Sequence, residues 1–313
     1  MSKKATRDAF GEVLKKIAQK DNNVYAMDCD LGRSTRAYAI TEVDPARFIE
    51  MGISEQDMVS TAAGMASAGK IVFVNSFAVF LTGRAYDQIR QQVALPRSNV
   101  KICASSSGLT QGADGATHQS ISDMNLMRGL PHMTVLSPAD AAQTEQIVEF
   151  AHSYEGPVYI RLSRYATEPL LPEGSVFELN KIQKIYQGED IALVATGPIL
   201  EQVLLTVENL RKLGYSCGVY NVPTIKPLDS DSIKTIAQRY SMVATIEEHS
   251  IIGGLGSAVS EVLATMPKHA RLLRLGVKDC FGESGEPAEL LAKHGLDASG
   301  IAESIHREFQ NEL

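Results

Sequence analysis

Gly52-Ile53-Ser54-Glu55-Gln56, then Asn75-Ser76-Phe77-Ala78-Val79-Phe80, then Gly112-Ala113-Asp114-Gly115-Ala116-Thr117-His118-Gln119 are the stretches on which the reading of this chain turns. The apolar run Ile71-Val72-Phe73-Val74 leads into the second stretch, and Val100-Lys101-Ile102-Cys103-Ala104 leads into the third. Short apolar runs of this kind read as buried strands, and the longer amphipathic stretches between them read as helices, here over 57–68 and 84–95. Strands that alternate with helices predict an α/β fold with a mostly parallel sheet flanked by helices.

The same alternation extends outward. A helix over 10–18 precedes the strand Val24-Tyr25-Ala26-Met27, and Met133-Thr134-Val135-Leu136 and Val158-Tyr159-Ile160-Arg161-Leu162 read as strands around a helix over 139–153. Between Ala166 and Gly188 the periodicity fades, with Pro169, Pro172 and Gly174 as breakers. A second α/β unit follows, with strands at Ile191-Ala192-Leu193-Val194-Ala195, Cys217-Gly218-Val219-Tyr220-Asn221-Val222 and Met242-Val243-Ala244-Thr245-Ile246, and a helix over 200–212. The expected division is a first domain over 1–167, a linker over 168–188 and a smaller α/β domain over 189–313.

The 313 residues are 44% hydrophobic and 21% charged, enough for sizeable cores. A net charge of -7 without a Lys/Arg-rich block speaks against nucleic acid or an anionic membrane as the main partner, because both need clustered positive charge. Cys29, Cys103, Cys217 and Cys280 form no C-x-x-C pair, so neither a zinc site nor a disulfide framework is indicated. The first residues carry no apolar leader and no segment reaches the ~20 apolar residues of a membrane span, so a cytoplasmic location is expected.

Taken alone, Glu55 has a structural explanation: Ser54 is a good N-cap, and acidic residues favour the first turn of a helix. Phe77 and Phe80 alone read as core, and a Gly-rich turn with one histidine reads as a loop. The order and spacing of the three stretches favour a joint role, and here the chain resembles the transketolase family. It is similar, almost end to end, to the C-terminal subunit of a split transketolase and to the corresponding part of 1-deoxyxylulose-5-phosphate synthase. Ile225-Lys226-Pro227-Leu228-Asp229 and the segment from Thr245 through Glu247-Glu248-His249 to Gly253-Gly254-Leu255-Gly256-Ser257 extend the resemblance into the second domain.

The resemblance implies a thiamine diphosphate enzyme whose first domain is of the pyrimidine-binding type. Glu55 would bond the ring nitrogen of the aminopyrimidine and promote its imino tautomer; burial disfavours the charged form of a carboxyl, which suits proton sharing. Phe80 and Phe77 would pack on that ring, with Asp30 near the cofactor. Ser34, Ser106, Asp114, His118 and Arg164 would meet the sugar phosphate, His118 also serving catalysis; the planar fork of arginine suits a phosphate. Three departures stand out: Ser106 where transketolases usually carry a histidine, Gly83 in place of an aromatic, and Lys3 as the loose match to a phosphate-binding arginine before the first helix.

The family's diphosphate and magnesium site needs a Gly-Asp-Gly followed by an asparagine, and the sequence has no such pair. No metal ligand is therefore expected in this chain. A partner of the N-terminal transketolase type would hold thiamine diphosphate and magnesium at the diphosphate end, with two copies of each subunit. Gly253-Gly254-Leu255-Gly256 resembles a phosphate-cradling loop but lacks the G-x-G-x-x-G spacing, so close helix packing is expected there. The reaction implied is transfer of a two-carbon ketol unit from a ketose phosphate to an aldose phosphate. Alternatives are a transketolase for an unusual ketose, a synthase-like or 2-oxo acid dehydrogenase β-type subunit and, last, a non-catalytic subunit.

Overall fold

The structure, a computed structural model, describes residues 3–310. Its strands are β1 (Lys4–Ala5), β2 (Val24–Asp28), β3 (Phe48–Glu50), β4 (Ile71–Phe77), β5 (Val100–Ser105), β6 (Thr134–Leu136), β7 (Val158–Arg161), β8 (Ala166–Thr167), β9 (Gln183–Tyr186), β10 (Ile191–Thr196), β11 (Cys217–Asn221), β12 (Thr224–Lys226), β13 (Met242–Ser250) and β14 (Arg271–Val277). The first large sheet has the order β12-β6-β7-β5-β4-β2-β3 and is parallel except where β12 joins β6. The second has the order β14-β13-β10-β11-β9 and is parallel except for β9. The α/β class expected from the sequence is the class observed.

Both sheets are covered by helices, so every residue of β5 and β10 is buried; β10 reads as an apolar run, while β5 buries Lys101 with its Nζ donating to the Tyr154 and Gly156 carbonyls. The helix Thr6–Lys20 turns Phe10, Val13, Leu14 and Ile17 inward, the i, i+3, i+4, i+7 spacing of one face. The helix Ala141–Ser153 starts where the Asp140 side chain accepts the Gln143 amide at 2.9 Å, an N-cap that ends the preceding extended chain. Among the described residues no helix is long and apolar enough to cross a membrane.

Several elements differ from the sequence reading. The helix expected over 84–95 begins directly after β4 as Ala78–Arg84, continues through Tyr86–Gln88 and ends in the π-type turn Ile89–Ala94. β9 lies inside the stretch expected to be linker, where three prolines and glycines hid a four-residue edge strand with alternating exposure. β12 comes from the second half of the chain yet completes the first sheet, pairing Thr224 with Leu136 and Lys226 with Val135. Three residues are too few to show a period, so the crossing was invisible in the sequence.

The two halves meet over a buried ion pair. Arg161 at the end of β7 and Asp123 at the start of the helix Asp123–Arg128 are 3% and 0% exposed, with Nε 2.8 Å from Oδ2. The Tyr159 hydroxyl donates to the same carboxylate at 2.6 Å, and Arg161 Nη2 donates to the backbone carbonyl of Glu248 at 2.9 Å. Burial alone would raise the Asp123 carboxyl; Arg161, His249 and Tyr159 outweigh it and hold the group below its ordinary range. Removing one partner of such a pair strands the other charge in the core, at a cost of about 3–5 kcal/mol. Arg161→Met is therefore expected to lose about that much stability in a denaturant titration, and Arg161→Met combined with Asp123→Leu to regain most of it. A single variant within about 1 kcal/mol of wild type would mean that the pair is not held as described.

Candidate active site

The site forms where parallel strands end. β2, β3, β4, β5 and β7 all point their C-terminal ends to one edge, the place where open α/β sheets gather ligand-binding loops. Glu55 opens the helix that follows β3, Phe77 ends β4, and the loop bearing Asp114 and His118 follows β5. Glu55 is 1% exposed; its Oε1 accepts from the Ser76 hydroxyl at 3.3 Å, and its Oε2 pairs with Arg84. The Arg84 guanidinium also lies 5.1 Å from the Phe80 ring centre. Phe77 and Phe80 are nearly parallel, 6.1 Å apart, and the His118 ring stands edge-on to Phe80 at 5.2 Å. The sequence-level pairing of these two phenylalanines with His118 and Glu55 is thus a spatial cluster.

The loop after β5 carries the next group. Asp114 and Arg164 are both exposed and 3.2 Å apart, and Arg164 also reaches the Gln111 carbonyl. Two side chains expected to contact the same sugar phosphate therefore contact each other in this structure. Ser106 is fully buried at φ +57, and its hydroxyl has no partner among the described residues. A non-glycine residue in that backbone region carries strain that the surrounding structure must hold.

Arg7 completes this group, and sequence analysis did not single it out. β1 pairs with β8, Lys4 opposite Thr167 and Ala5 opposite Ala166, and the Thr6 hydroxyl accepts the Ser163 amide at 2.7 Å. That zipper sets Arg7 where the Arg164 charge bears on it, with Arg7 Nη1 donating to the Ser34 carbonyl at 3.1 Å. Burial lowers the Arg7 guanidinium from its ordinary value, and its Nε has no partner among the described residues. Lys3 instead lies 3.8 Å from Glu201. The signal available in the sequence was a cation in the first turn of a helix, where the dipole disfavours it.

Asp30 and Ser34 line a cleft of about 410 Å³ with Arg33, Tyr38, Phe48 and Glu50. Asp30 is exposed at φ +62, its amide donating to Glu50 Oε1 at 2.7 Å. Beneath it the buried Asp28 carboxylate accepts from the Leu31 amide and the Thr35 hydroxyl, both at 2.6 Å, and fixes the turn. Burial pushes the Asp28 carboxyl up to about 7 despite those bonds. Contacts run from Glu55 through Arg84, Phe80 and His118, and along the loop to Asp114 and Arg164; Arg7, bonded to Ser34, feels the Arg164 charge.

Two family descriptions match the chain: "Transketolase, pyrimidine binding domain" over residues 2–169 and "Transketolase, C-terminal domain" over 180–301. The chain belongs to the transketolase family. It is 41% identical to a putative transketolase C-terminal section of Methanocaldococcus jannaschii, over 99% of this chain and 98% of that one. It is 38% identical to a 6-deoxy-6-sulfo-D-fructose transketolase subunit of Clostridium sp., over 96% and 93%. A solved split gene transketolase, described as an inactive β4 tetramer, superposes with a TM-score of 0.87 at 39% identity over 97% of both chains.

In this transketolase-family chain the Gly253–Gly256 turn is filled from within. The Glu247 carboxylate accepts the Leu255 amide at 2.7 Å and the Gly256 amide at 2.8 Å, so a side chain occupies the helix N-terminus that a phosphate would use. A Cβ on Gly254 would stand 1.9 Å from Glu247 Oε2, which requires glycine there. Burial raises the Glu247 carboxyl from 4.5 to about 7, against the pull of the two amides. A carboxyl whose folded pKa exceeds its unfolded one binds more protons when folded. Its contribution is fullest below pH 4.5 and is lost as the pH rises through 7. Glu247→Gln should therefore flatten the melting temperature against pH between about 4.5 and 7; an unaltered wild-type slope would remove Glu247 as its source.

Proposed function

We propose that this chain is the C-terminal subunit of a two-chain, thiamine diphosphate-dependent transketolase that moves a two-carbon ketol unit from a ketose phosphate to an aldose phosphate. One observation carries the reading. A buried carboxyl, a pair of parallel phenylalanines and a histidine meet at the ends of β3, β4 and β5, and join an arginine pair suited to phosphate. The side chains suit the cofactor's aminopyrimidine: half-buried Phe80 with Phe77 beside it offers an aromatic face, and Arg84, which lies over the Phe80 ring, links that face to the Glu55 carboxyl. Bound there, thiamine diphosphate supplies the electron sink.

Glu55 would meet the ring nitrogen from a site almost closed to water, where a hydrogen bond is stronger than in solution. His118 and Asp114 meet the sugar hydroxyls, and Arg7, Arg164 and the Ser34 turn meet its phosphate. The diphosphate and magnesium belong to a partner subunit carrying the Gly-Asp-Gly and asparagine pair that this sequence lacks. Two copies of each subunit form the enzyme, which works in the cytoplasm. Ser106 favours a second reading within the same chemistry, a donor other than the common ketose phosphates. The Clostridium relative, named for 6-deoxy-6-sulfo-D-fructose, supports it.

The test is reconstitution with a subunit of the N-terminal type, assayed on a panel of ketose donors. Wild type is expected to turn over only in the mixed complex, and Glu55→Gln to lose about 10²- to 10⁴-fold in activity while folding and assembly persist. Thiazolium proton exchange at the wild-type rate in Glu55→Gln would remove the carboxyl from this role.

Arg164→Ala and Arg7→Ala separate sugar binding from cofactor chemistry. Each charge-assisted hydrogen bond is worth about 1.5–3 kcal/mol, so kcat/KM for a phosphorylated donor should fall roughly 10- to 150-fold per bond lost. A donor without phosphate should change much less. Equal losses on both donors with a lowered melting temperature would instead make Arg164 a brace for the Asp114 loop.

A further inference from the structure

The C-terminal domain reaches into this site through one side chain that the reading above does not use. Glu248, on β13, is 3% exposed, and its carboxylate leaves its own sheet to accept the backbone amide of Thr110 through Oε1. Thr110 lies in the first turn of the loop that carries Asp114 and His118. The approach is close: a Cβ on Gly108, which sits at φ +81, would stand 2.3 Å from Glu248 Oε1. Glycine at 108 is what admits the carboxylate.

The far end of the loop is held from the same domain. Gln119 Nε2 donates to the Leu109 carbonyl at 3.3 Å, to the Gly112 carbonyl at 3.1 Å and to the Glu283 carbonyl at 2.8 Å. The Ser250 amide donates to the Ile121 carbonyl at 2.9 Å. Between these anchors Ala113, Asp114, Ala116 and Thr117 remain exposed, so the inner side of the loop is gripped while its outer side is open to solvent. The Glu248 backbone carbonyl is itself tied to Arg161, which leaves the strand little room to shift.

We propose that Glu248 is a positioning residue for sugar binding, its carboxylate fixing the backbone of loop 108–119 so that Asp114 and His118 stand at the donor sugar. The proposal rests on the reading of those two side chains as sugar contacts. Burial raises the Glu248 carboxyl, and the Thr110 amide and Arg161 pull it back. Acceptance of one amide needs an oxygen rather than a charge, so glutamine can take the place of glutamate while alanine cannot.

The experiment uses the reconstituted complex with Glu248→Ala, Glu248→Gln and Thr110→Pro, the last deleting the donor from the loop side in case Glu248→Ala fails to fold. Hydrogen exchange in 108–119 should speed up at least ~10-fold in Glu248→Ala, where the restraint is lost. The donor KM should rise at least ~10-fold with kcat within ~5-fold and thiamine diphosphate affinity unchanged. Thr110→Pro should show the same KM rise, and Glu248→Gln should stay within ~3-fold of wild type. Unchanged loop exchange, a lowered melting temperature with an unmoved KM, or Glu248→Gln as damaged as Glu248→Ala would overturn the proposal. Asp114→Ala in parallel separates the two possible failures. A KM unmoved by Asp114→Ala sinks the sugar reading of the loop, whereas a KM moved by Asp114→Ala but not by Glu248→Ala sinks the role of Glu248.

Discussion

One buried guanidinium, that of Arg161, ties the two halves of this chain together at the candidate site. It stands at the end of β7 with a carboxylate from its own domain on one side and a backbone carbonyl of the second domain on the other. A guanidinium taken out of water is costly unless its donors are met, and here Asp123, the Ser120 carbonyl and the Glu248 carbonyl meet them. The requirement ties the crossing of β13 to the end of β7. Once that crossing is fixed, the loop after β5 has a floor, and its outer residues are available to a ligand.

A second constraint acts at the other end of the site. The two-residue strands β1 and β8 are too short to be stable alone, and they hold because Thr6 and Ser163 exchange hydrogen bonds directly beside them. Their pairing brings residues 157 positions apart into contact and sets Arg7 within range of the Arg164 charge. Like charges so placed repel, and burial of Arg7 adds to the cost. Asp114 relieves it for Arg164, and Asp8 for Arg7. An arrangement that destabilises the ligand-free chain in this way is suited to an anion, whose entry removes the repulsion.

Much of this was legible in the sequence, and what was not has a physical reason. The α/β class, the central strands and the grouping of Glu55, Phe77, Phe80 and His118, and of Asp114 with Arg164, could be read because apolar runs and motif spacing are local properties. Arg7 could not be read, since its place depends on a β1–β8 pairing that spans the domain and leaves no period in either segment. Nor could the crossing of β12 into the first sheet, or the Arg84–Glu55 pair, in which a half-exposed cation balances a carboxylate that is itself 1% exposed. The Gly253–Gly256 turn shows the converse case. Its sequence resembles an anion cradle, and the anion it cradles is Glu247 of the same chain.

Glu247 and Glu248 divide their labour for a reason found in strand geometry. Successive side chains of a strand point to opposite faces, so adjacent glutamates on β13 cannot serve the same partner. Glu247 turns to the helix Leu255–Leu263 and caps it, which stabilises the second domain internally. Glu248 turns to the first domain and meets Thr110. One residue of register separates a structural role from a role at the site: a shift of β13 by a single position would exchange the two faces and break both contacts at once. The pairing of β13 with β10 ends at Thr196 opposite Glu247, and its register with β14 shifts between Ile246 and Ser250, so beyond the ladder the buried Arg161 that binds the Glu248 carbonyl helps hold the segment in place.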